Sequence, residues 1–320
     1  MDRERAPRMV FMGTPAFAVP ALEALMAGGY DLVGVYTQPD RPSGRGRGVV
    51  SSPIKSLALE SGLRVYQPPS LKDVNAREEL KALRPEVMVV AAYGLILPLQ
   101  VLDIPPHGTV NVHPSLLPRH RGPSPVASTI LEGDEVTGVT IMLASPRVDA
   151  GPVLSAAQVK IEADATTGTL TEILSQVGAD LLVETLPRWL RGEIQPQPQD
   201  EAQATYSRML SKRDGEIDWR LPASEIWRRV RALDPWPGTY TRWQGRLLKV
   251  LEVEPLPDDR GAEPGRVVQA KEMGRQVQVV VGTGEGTLLL KRVQLEGRRA
   301  VEGGSFVIGH RDFVGSLLPS

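Results

Sequence analysis

The chain contains no cysteine. Disulfides, thiolate nucleophiles and cysteine-bearing zinc sites are thereby excluded, and a reducing compartment fits. No apolar run approaches the length a membrane helix needs, and Met1-Asp2-Arg3-Glu4-Arg5 leads into no signal-like apolar core. A soluble, cytoplasmic protein with no membrane partner is expected, and nothing compels a dimer over a monomer. Internal repeats and low-complexity tracts are missing too. So is a dinucleotide fingerprint: Gly13-Thr14-Pro15 has one glycine where three are needed, which argues against a nicotinamide cofactor. Gly282-Thr-Gly-Glu-Gly286 precedes no helix, so it reads as a hairpin turn rather than a phosphate cradle.

What is present is a chain of 320 residues, longer than a typical single domain, so two domains are expected. Hydrophobic residues, at 41 %, suffice for ordinary cores. The net charge of −1 hides an asymmetry: residues 206–320 carry 19 Lys and Arg against 15 Asp and Glu, while residues 1–205 carry 18 against 23. A mildly basic last third hints at a polyanionic partner, although a solvated surface explains it equally well.

The first half alternates strand-like and helix-like runs. Met9–Met12, Asp31–Tyr36, Val87–Ala91, Thr109–His113 and Val139–Leu143 read as strands, and Val19–Ala27 has helical spacing. Runs apolar on both faces with helices between them predict an α/β fold, a parallel-type sheet with helices on both faces. Sites in such sheets form where strands end. Thr167–Arg191 reads as a long amphipathic helix. The Pro- and Gln-rich stretch after Gly192 has little to pack and reads as a linker. Beyond it, Ser224–Leu233 reads as a helix. Short strand-like runs follow at Gly238–Trp243, Leu247–Val253, Arg266–Ala270, Val277–Val281 and Thr287–Val293, and predict a small β-barrel or sandwich. The expected division is 1–192, a linker at 193–205, and 206–320.

The most informative stretch is Gly108-Thr-Val-Asn111-Val112-His113-Pro114-Ser115-Leu116-Leu117-Pro118-Arg119. On a strand Asn111 and His113 share a side while Val112 faces packing. Pro114 ends the strand. An amide donor can stabilise an oxygen that gains negative charge, and an imidazole can hold or move the proton of an attacking amine. A nearby carboxylate would orient the ring and raise its pKa, and Asp149, in Val148-Asp149-Ala150-Gly151-Pro152, follows the strand ending at Leu143. Each feature also has a bland reading: a turn with a satisfied histidine for Asn-x-His, and a turn former for Asp149. His113 and His120 lie seven apart without an acidic neighbour of metal-ligand spacing, so no metal is expected. His107 and His310 read as loop histidines.

Asn111-Val112-His113-Pro114-Ser115-Leu116-Leu117-Pro118, continuing into Arg119-His120-Arg121-Gly122, resembles the signature of the folate-dependent formyltransferases. Thr137-Gly138-Val139-Thr140-Ile141-Met142 with Asp149 and Gly151 resembles the second block of that family. Further matches run in order from Phe11-Met12-Gly13-Thr14-Pro15 and Gln38–Gly46 through Ala92–Pro98 to Ile217-Asp218-Trp219. The resemblance implies formyl transfer from 10-formyltetrahydrofolate, as donor co-substrate, to the amino group of initiator methionyl-tRNA. It implies Asn111, His113 and Asp149 as the catalytic set. It places Ser115, Leu116, Leu117 and Pro118 along the folate, with Tyr93, Gly94 and Leu95 as a wall for its pterin. It also implies an oligonucleotide-binding (OB-like) β-barrel for residues 206–320. Position 120, often a large aromatic in the family, is His here, and Pro123-Ser124 replaces a usual pair of small residues.

Arg41-Pro42-Ser43-Gly44-Arg45-Gly46-Arg47-Gly48 has nothing apolar to bury. On its residues alone it is a solvated loop or an anion-binding arm. The resemblance implies that Arg41, Arg45 and Arg47 meet the tRNA acceptor end. Arg246, Lys249, Lys291, Arg292, Arg298 and Arg299 are basic candidates in the last third, each singly also an ordinary surface charge.

Overall fold

The computed structural model describes residues 6–43, 48–256, 262–273 and 276–320. The chain forms two compact units. One comprises Met1–Pro125, Val136–Ile161 and Thr171–Ser207; the other comprises Val126–Glu135, Glu162–Leu170 and Arg208–Ser320.

The first unit is built on strands β1 (Arg8–Gly13), β2 (Asp31–Tyr36), β5 (Val65–Tyr66), β6 (Val87–Ala91), β7 (Thr109–His113), β8 (Val136–Leu143) and β9 (Val153–Lys160), with a small hairpin of β3 (Arg41–Ser43) and β4 (Gly48–Val50). The seven-stranded sheet runs β5-β2-β1-β6-β7-β8-β9. The first five positions pair in parallel, as expected. β8 departs from the expected parallel arrangement, pairing antiparallel with β7 and with β9, a strand outside the runs read from the sequence. An apolar run covered on both faces carries no mark of its direction, so residue pattern alone could not separate the two cases.

Helices α1 (Val19–Ala27), α2 (Pro53–Glu60), α3 (Val74–Ala82), α4 (Leu99–Leu102), α5 (Pro125–Glu132) and α6 (Thr167–Leu190) occur between or after these strands. Ser52 and Asp73 cap α2 and α3 by accepting from the N–H groups of Lys55 and Ala76. α6 approaches the sheet closely at Gly178, where an added Cβ would lie 2.9 Å from Val112. Val112 therefore faces this helix, and alternation sends Asn111 and His113 to the opposite side.

The second unit carries α7 (Ala223–Ala232), β10 (Thr239–Trp243), β11 (Arg246–Leu256), β12 (Val267–Met273), β13 (Gln276–Gly282), β14 (Thr287–Leu295), β15 (Val301–Glu302) and α8 (Gly303–Gly309). The strands form an antiparallel sheet in the order β10-β11-β14-β13-β12, with β15 on β14. Gly282 opposite Thr287 makes the β13–β14 turn the expected hairpin. Trp219, Ile226, Val230, Trp243, Leu248, Val281, Phe306 and Phe313 belong to one buried cluster.

Among the described residues β10 and β12 do not pair directly. The last residues span the gap instead. Gly315 and Leu318 donate to the carbonyls of Val267 and Gly265 beside β12, and Ser320 exchanges main-chain hydrogen bonds with Arg242 and Gly245 beside β10. Among the described residues, the small β-barrel or sandwich expected at this end is an antiparallel sheet whose edge strands the tail ties together.

Candidate active site

His113 ends β7 and is buried, with a side chain 6 % exposed. Its Nε2 donates to the carbonyl of His120 at 3.2 Å, and its Nδ1 faces Asp149 Oδ1 at 3.7 Å. The other carboxylate oxygen of Asp149 accepts from the Gly122 N–H at 2.8 Å. Two residues 36 positions apart are thus brought face to face where β7 ends. Both ring nitrogens look at acceptors, an arrangement fully satisfied only by the imidazolium. Burial works against that charge and is the larger effect. It holds the His113 pKa below the ordinary histidine value, while Asp149 and the His120 carbonyl pull upward. Burial and the facing carboxylate thus pull on the ring in opposite directions, and Nδ1 is the nitrogen that meets Asp149.

Asn111 lies two residues earlier on the same strand, between Val90 of β6 and Met142 of β8, and is half-buried. Among the described residues no hydrogen bond engages its side chain, so both amide N–H groups stay available. Asp149 has a left-handed backbone, φ 47°, strained for a residue with a Cβ. Gly151 follows because a Cβ there would come 1.8 Å from the Leu143 carbonyl oxygen. Gly122 is required likewise, at φ 108° with a Cβ 2.7 Å from the Ser207 carbonyl oxygen.

The loop after β7 is stitched by its own hydrogen bonds. Ser115 Oγ donates to the Arg119 carbonyl at 2.7 Å, and Thr140 Oγ1 donates to the Ser115 carbonyl while accepting from the Leu117 N–H. Ser115 is fully buried, so it shapes the loop and presents no atom to a ligand. Leu116, Leu117 and Pro118 are half-buried and leave apolar surface open. The turn after β6 divides similarly. The Tyr93 ring is buried in the core with Val10, Met12, Tyr36 and Met88, which corrects its expected place as a wall. Its carbonyl receives Thr14 Oγ1 at 2.8 Å and Gln38 Nε2 at 3.1 Å. Gly94 is exposed, at φ 81°, and a Cβ there would strike Gln38 Nε2 at 2.2 Å. Open main chain at Gly94, with half-buried Leu95, Leu116 and Leu117, suits a flat heterocycle that has both apolar faces and amide-like edges. The residues present therefore fit the folate expected from the sequence.

A third layer escaped the sequence reading. The segment 193–205, expected as a linker, is hydrogen-bonded into the first unit. Gln197 and Val153 exchange main-chain hydrogen bonds at 2.8 Å in both directions. Gln199 Nε2 donates to the carbonyls of Asp149 and Gly151 at 2.8 and 2.7 Å, and its Oε1 accepts from Arg121 Nε and Nη2. Arg121 is fully buried and also binds both carboxylate oxygens of Glu201 and the Tyr206 hydroxyl. The Arg121 N–H donates to the Thr205 carbonyl, and the Ser207 N–H donates to the Arg121 carbonyl, which completes the strap. Glu201, gripped by Arg121 and Arg147, has its pKa drawn down to about 2. An arginine in a run of mostly polar residues gives no sequence sign that it will be buried.

Of the expected tRNA contacts, Arg41 is exposed at the start of β3, and Arg45 and Arg47 lie outside the described residues. Arg246, Lys249, Lys291, Arg292, Arg298 and Arg299 are all exposed, and Lys291 pairs with Glu252 at 3.0 Å.

Comparison with known proteins adds a further layer. The family described as Formyl transferase matches residues 7–186, and the one described as Formyl transferase, C-terminal domain, matches residues 209–311. The chain is 51 % identical over 302 residues to a methionyl-tRNA formyltransferase of Chloroflexus aggregans, covering 94 % of this chain and 97 % of that one. A methionyl-tRNA formyltransferase of Dehalococcoides mccartyi is 48 % identical over 311 residues, 97 % of this chain and 98 % of that one. Among solved structures, WlaRD, a sugar 3N-formyl transferase crystallised with dTDP and 5-N-formyl-THF, superposes with a TM-score of 0.65 at 14 % identity, over 92 % of this chain and 100 % of that one. HypX from Aquifex aeolicus in complex with tetrahydrofolic acid superposes with a TM-score of 0.62 at 18 % identity, over 95 % of this chain and 47 % of that one. At these identities the structures speak to the fold alone.

Proposed function

Because the chain belongs to the formyl transferase family, we propose that Asn111, His113 and Asp149 are the groups with which it moves a formyl group from 10-formyltetrahydrofolate to the α-amino group of initiator methionyl-tRNA. The activity is that of relatives about half identical over nearly their whole length. The observation that supports the residue assignment is the approach of His113 and Asp149, 3.7 Å apart beneath the end of β7.

Gly94, Leu95, Leu116, Leu117 and Pro118 would hold the folate, and 10-formyltetrahydrofolate supplies an activated formyl carbon when bound. The free amide of Asn111 donates to the carbonyl oxygen as negative charge grows there. His113 takes the proton of the attacking α-amine at Nδ1, where Asp149 Oδ1 stabilises the resulting charge, and gives it back to the leaving folate nitrogen as the bond from that nitrogen to the formyl carbon breaks. Its Nε2 stays on the His120 carbonyl, so the ring does not rotate as it changes state. Removing one aimed donor costs about 100- to 1000-fold in rate. Asn111→Ala is expected to lose that much kcat with methionyl-tRNA affinity nearly unchanged, and full turnover in this variant would remove Asn111 from the mechanism.

Arg41, Arg45 and Arg47, together with the basic residues of 206–320, are proposed to hold the tRNA backbone. The first unit, whose strap extends to Ser207, is proposed as the folate-binding catalytic part and residues 208–320 as the tRNA-binding part. We infer a cytoplasmic monomer. Among the described residues no helix is long and apolar enough to cross a membrane, and light scattering of the purified chain decides between one copy and two.

A further inference from the structure

Asp149 is held by more than its side chain. The carboxylate is fixed by the Gly122 N–H, but its backbone occupies a left-handed conformation that a β-carbon disfavours. Something must hold the loop 144–151 in that shape. The two N–H groups of the Gln199 amide are spent on the carbonyl oxygens of Asp149 and Gly151, one on either side of Ala150. Nε2 also lies 4.0 Å from the sulfur of Met142, which is directly opposite Asn111 in the sheet. The Gln199 carbonyl is taken by Arg121 Nε and Nη2 at 3.0 and 2.8 Å, so the amide cannot turn over without facing carbonyl against carbonyl. Arg121 is held in turn by Glu201, which reaches the same loop a second time through Arg147 Nη2 at 2.6 Å. The strap thus grips the loop at residues 147, 149 and 151, and all of these residues belong to the first unit.

We propose that Gln199 is a positioning residue for the reaction: its amide, oriented by buried Arg121, locks the strained loop that aims the Asp149 carboxylate at His113. Gln199 touches neither substrate nor reacting atoms. A side chain that acts only by aiming Asp149 should matter only while Asp149 is there to be aimed. The inference rests on the proposed catalytic role of Asp149, and the experiment separates the two.

The test is a double-mutant cycle in the full-length chain, with Gln199→Leu, Gln199→Glu, Asp149→Asn and the doubles. Glutamate keeps the size and the partner Arg121 but sets a carboxylate oxygen against two carbonyls. Misplacement of a catalytic group by about an ångström can cost on the order of 100-fold. Both Gln199 variants are expected to lose about 10- to 100-fold in kcat, with KM for both substrates within about twofold. Neither should lose further activity in the Asp149→Asn background. The readout that a merely structural role would not move is the His113 titration, followed by NMR; the chain has only four histidines to assign. Freed from an aimed Asp149, with the His120 carbonyl still bound, His113 should titrate at lower pH in both Gln199 variants. It should shift no further when Asp149 is already asparagine. Additive kcat losses, or an unmoved His113 titration in a folded Gln199→Leu chain, would overturn the positioning role. An Asp149→Asn enzyme with full kcat would instead sink the catalytic assignment on which it stands.

Discussion

His113 has acceptors on both ring nitrogens and almost no water, and these two facts oppose each other. In the unfolded chain an imidazole takes up its proton near pH 6.5. In the fold, burial delays that uptake to lower pH. The unfolded state therefore binds more protons as pH falls below about 6.5, and the fold loses stability through that window. His113→Gln abolishes the titration. Its melting temperature should fall less than the wild type's between about pH 7 and pH 5, as thermal unfolding at each pH would show; parallel curves would mean that His113 titrates alike in both states. Asn111 and His113 were legible because strand alternation is a strict rule, and Asp149 because a strand end, an acid and a Gly-Pro pair fall together. Gln199 was not. A glutamine in a short Pro- and Gln-rich run has no periodicity, and its meaning depends on two carbonyl groups some 50 residues away. Tyr93 misled for the opposite reason: an aromatic in a conspicuous motif turned out to be core, with its carbonyl bound by Thr14.

At the scale of elements, direction and closure were the features hidden from residue patterns. β8 runs against the strands before it, yet its run, buried on both faces, fits either sense. The second sheet holds the five expected strands and a short sixth, β15, and its edges are joined by a tail without strand-like alternation. Leu318 is 3 % exposed in that tail, and its N–H reaches the Gly265 carbonyl. Leu318→Ala removes buried methyl groups and leaves a cavity, a loss of about 2–5 kcal/mol. Urea unfolding followed by tryptophan fluorescence, reporting on Trp219 and Trp243 in the same cluster, should register it. Loss below about 1 kcal/mol would mean that the tail is only draped on the sheet.

For the molecule as a whole, the near-zero charge hides an acidic first part and a basic last part. The place to separate these parts is not the proline-rich stretch. Ending the chain at Gly192 strips Arg121 of Gln199, Glu201 and Tyr206 and frees the loop 144–151 from the Gln199 amide. A chain ending at Ser207 keeps those contacts. Both truncations lack residues 208–320 alike, so the comparison isolates the strap. The longer one should retain binding of a folate analogue, measured by calorimetry, and lose most affinity for tRNA, whereas the shorter should bind neither. Equal folate binding by the two would show that the strap is dispensable to the fold.

The strap also sets how this chain can drift as it diverges. From Gln197 to Ser207 nearly every contact is counted in residues: Gln197 opposite Val153, Gln199 under two carbonyls, Tyr206 beside Arg121. One residue inserted within that span would slide each partner out of step, so descendants of this sequence should keep its length unchanged. Slack remains only just upstream, around exposed Gly192 and Glu193; that is where insertions and deletions among sister sequences should collect.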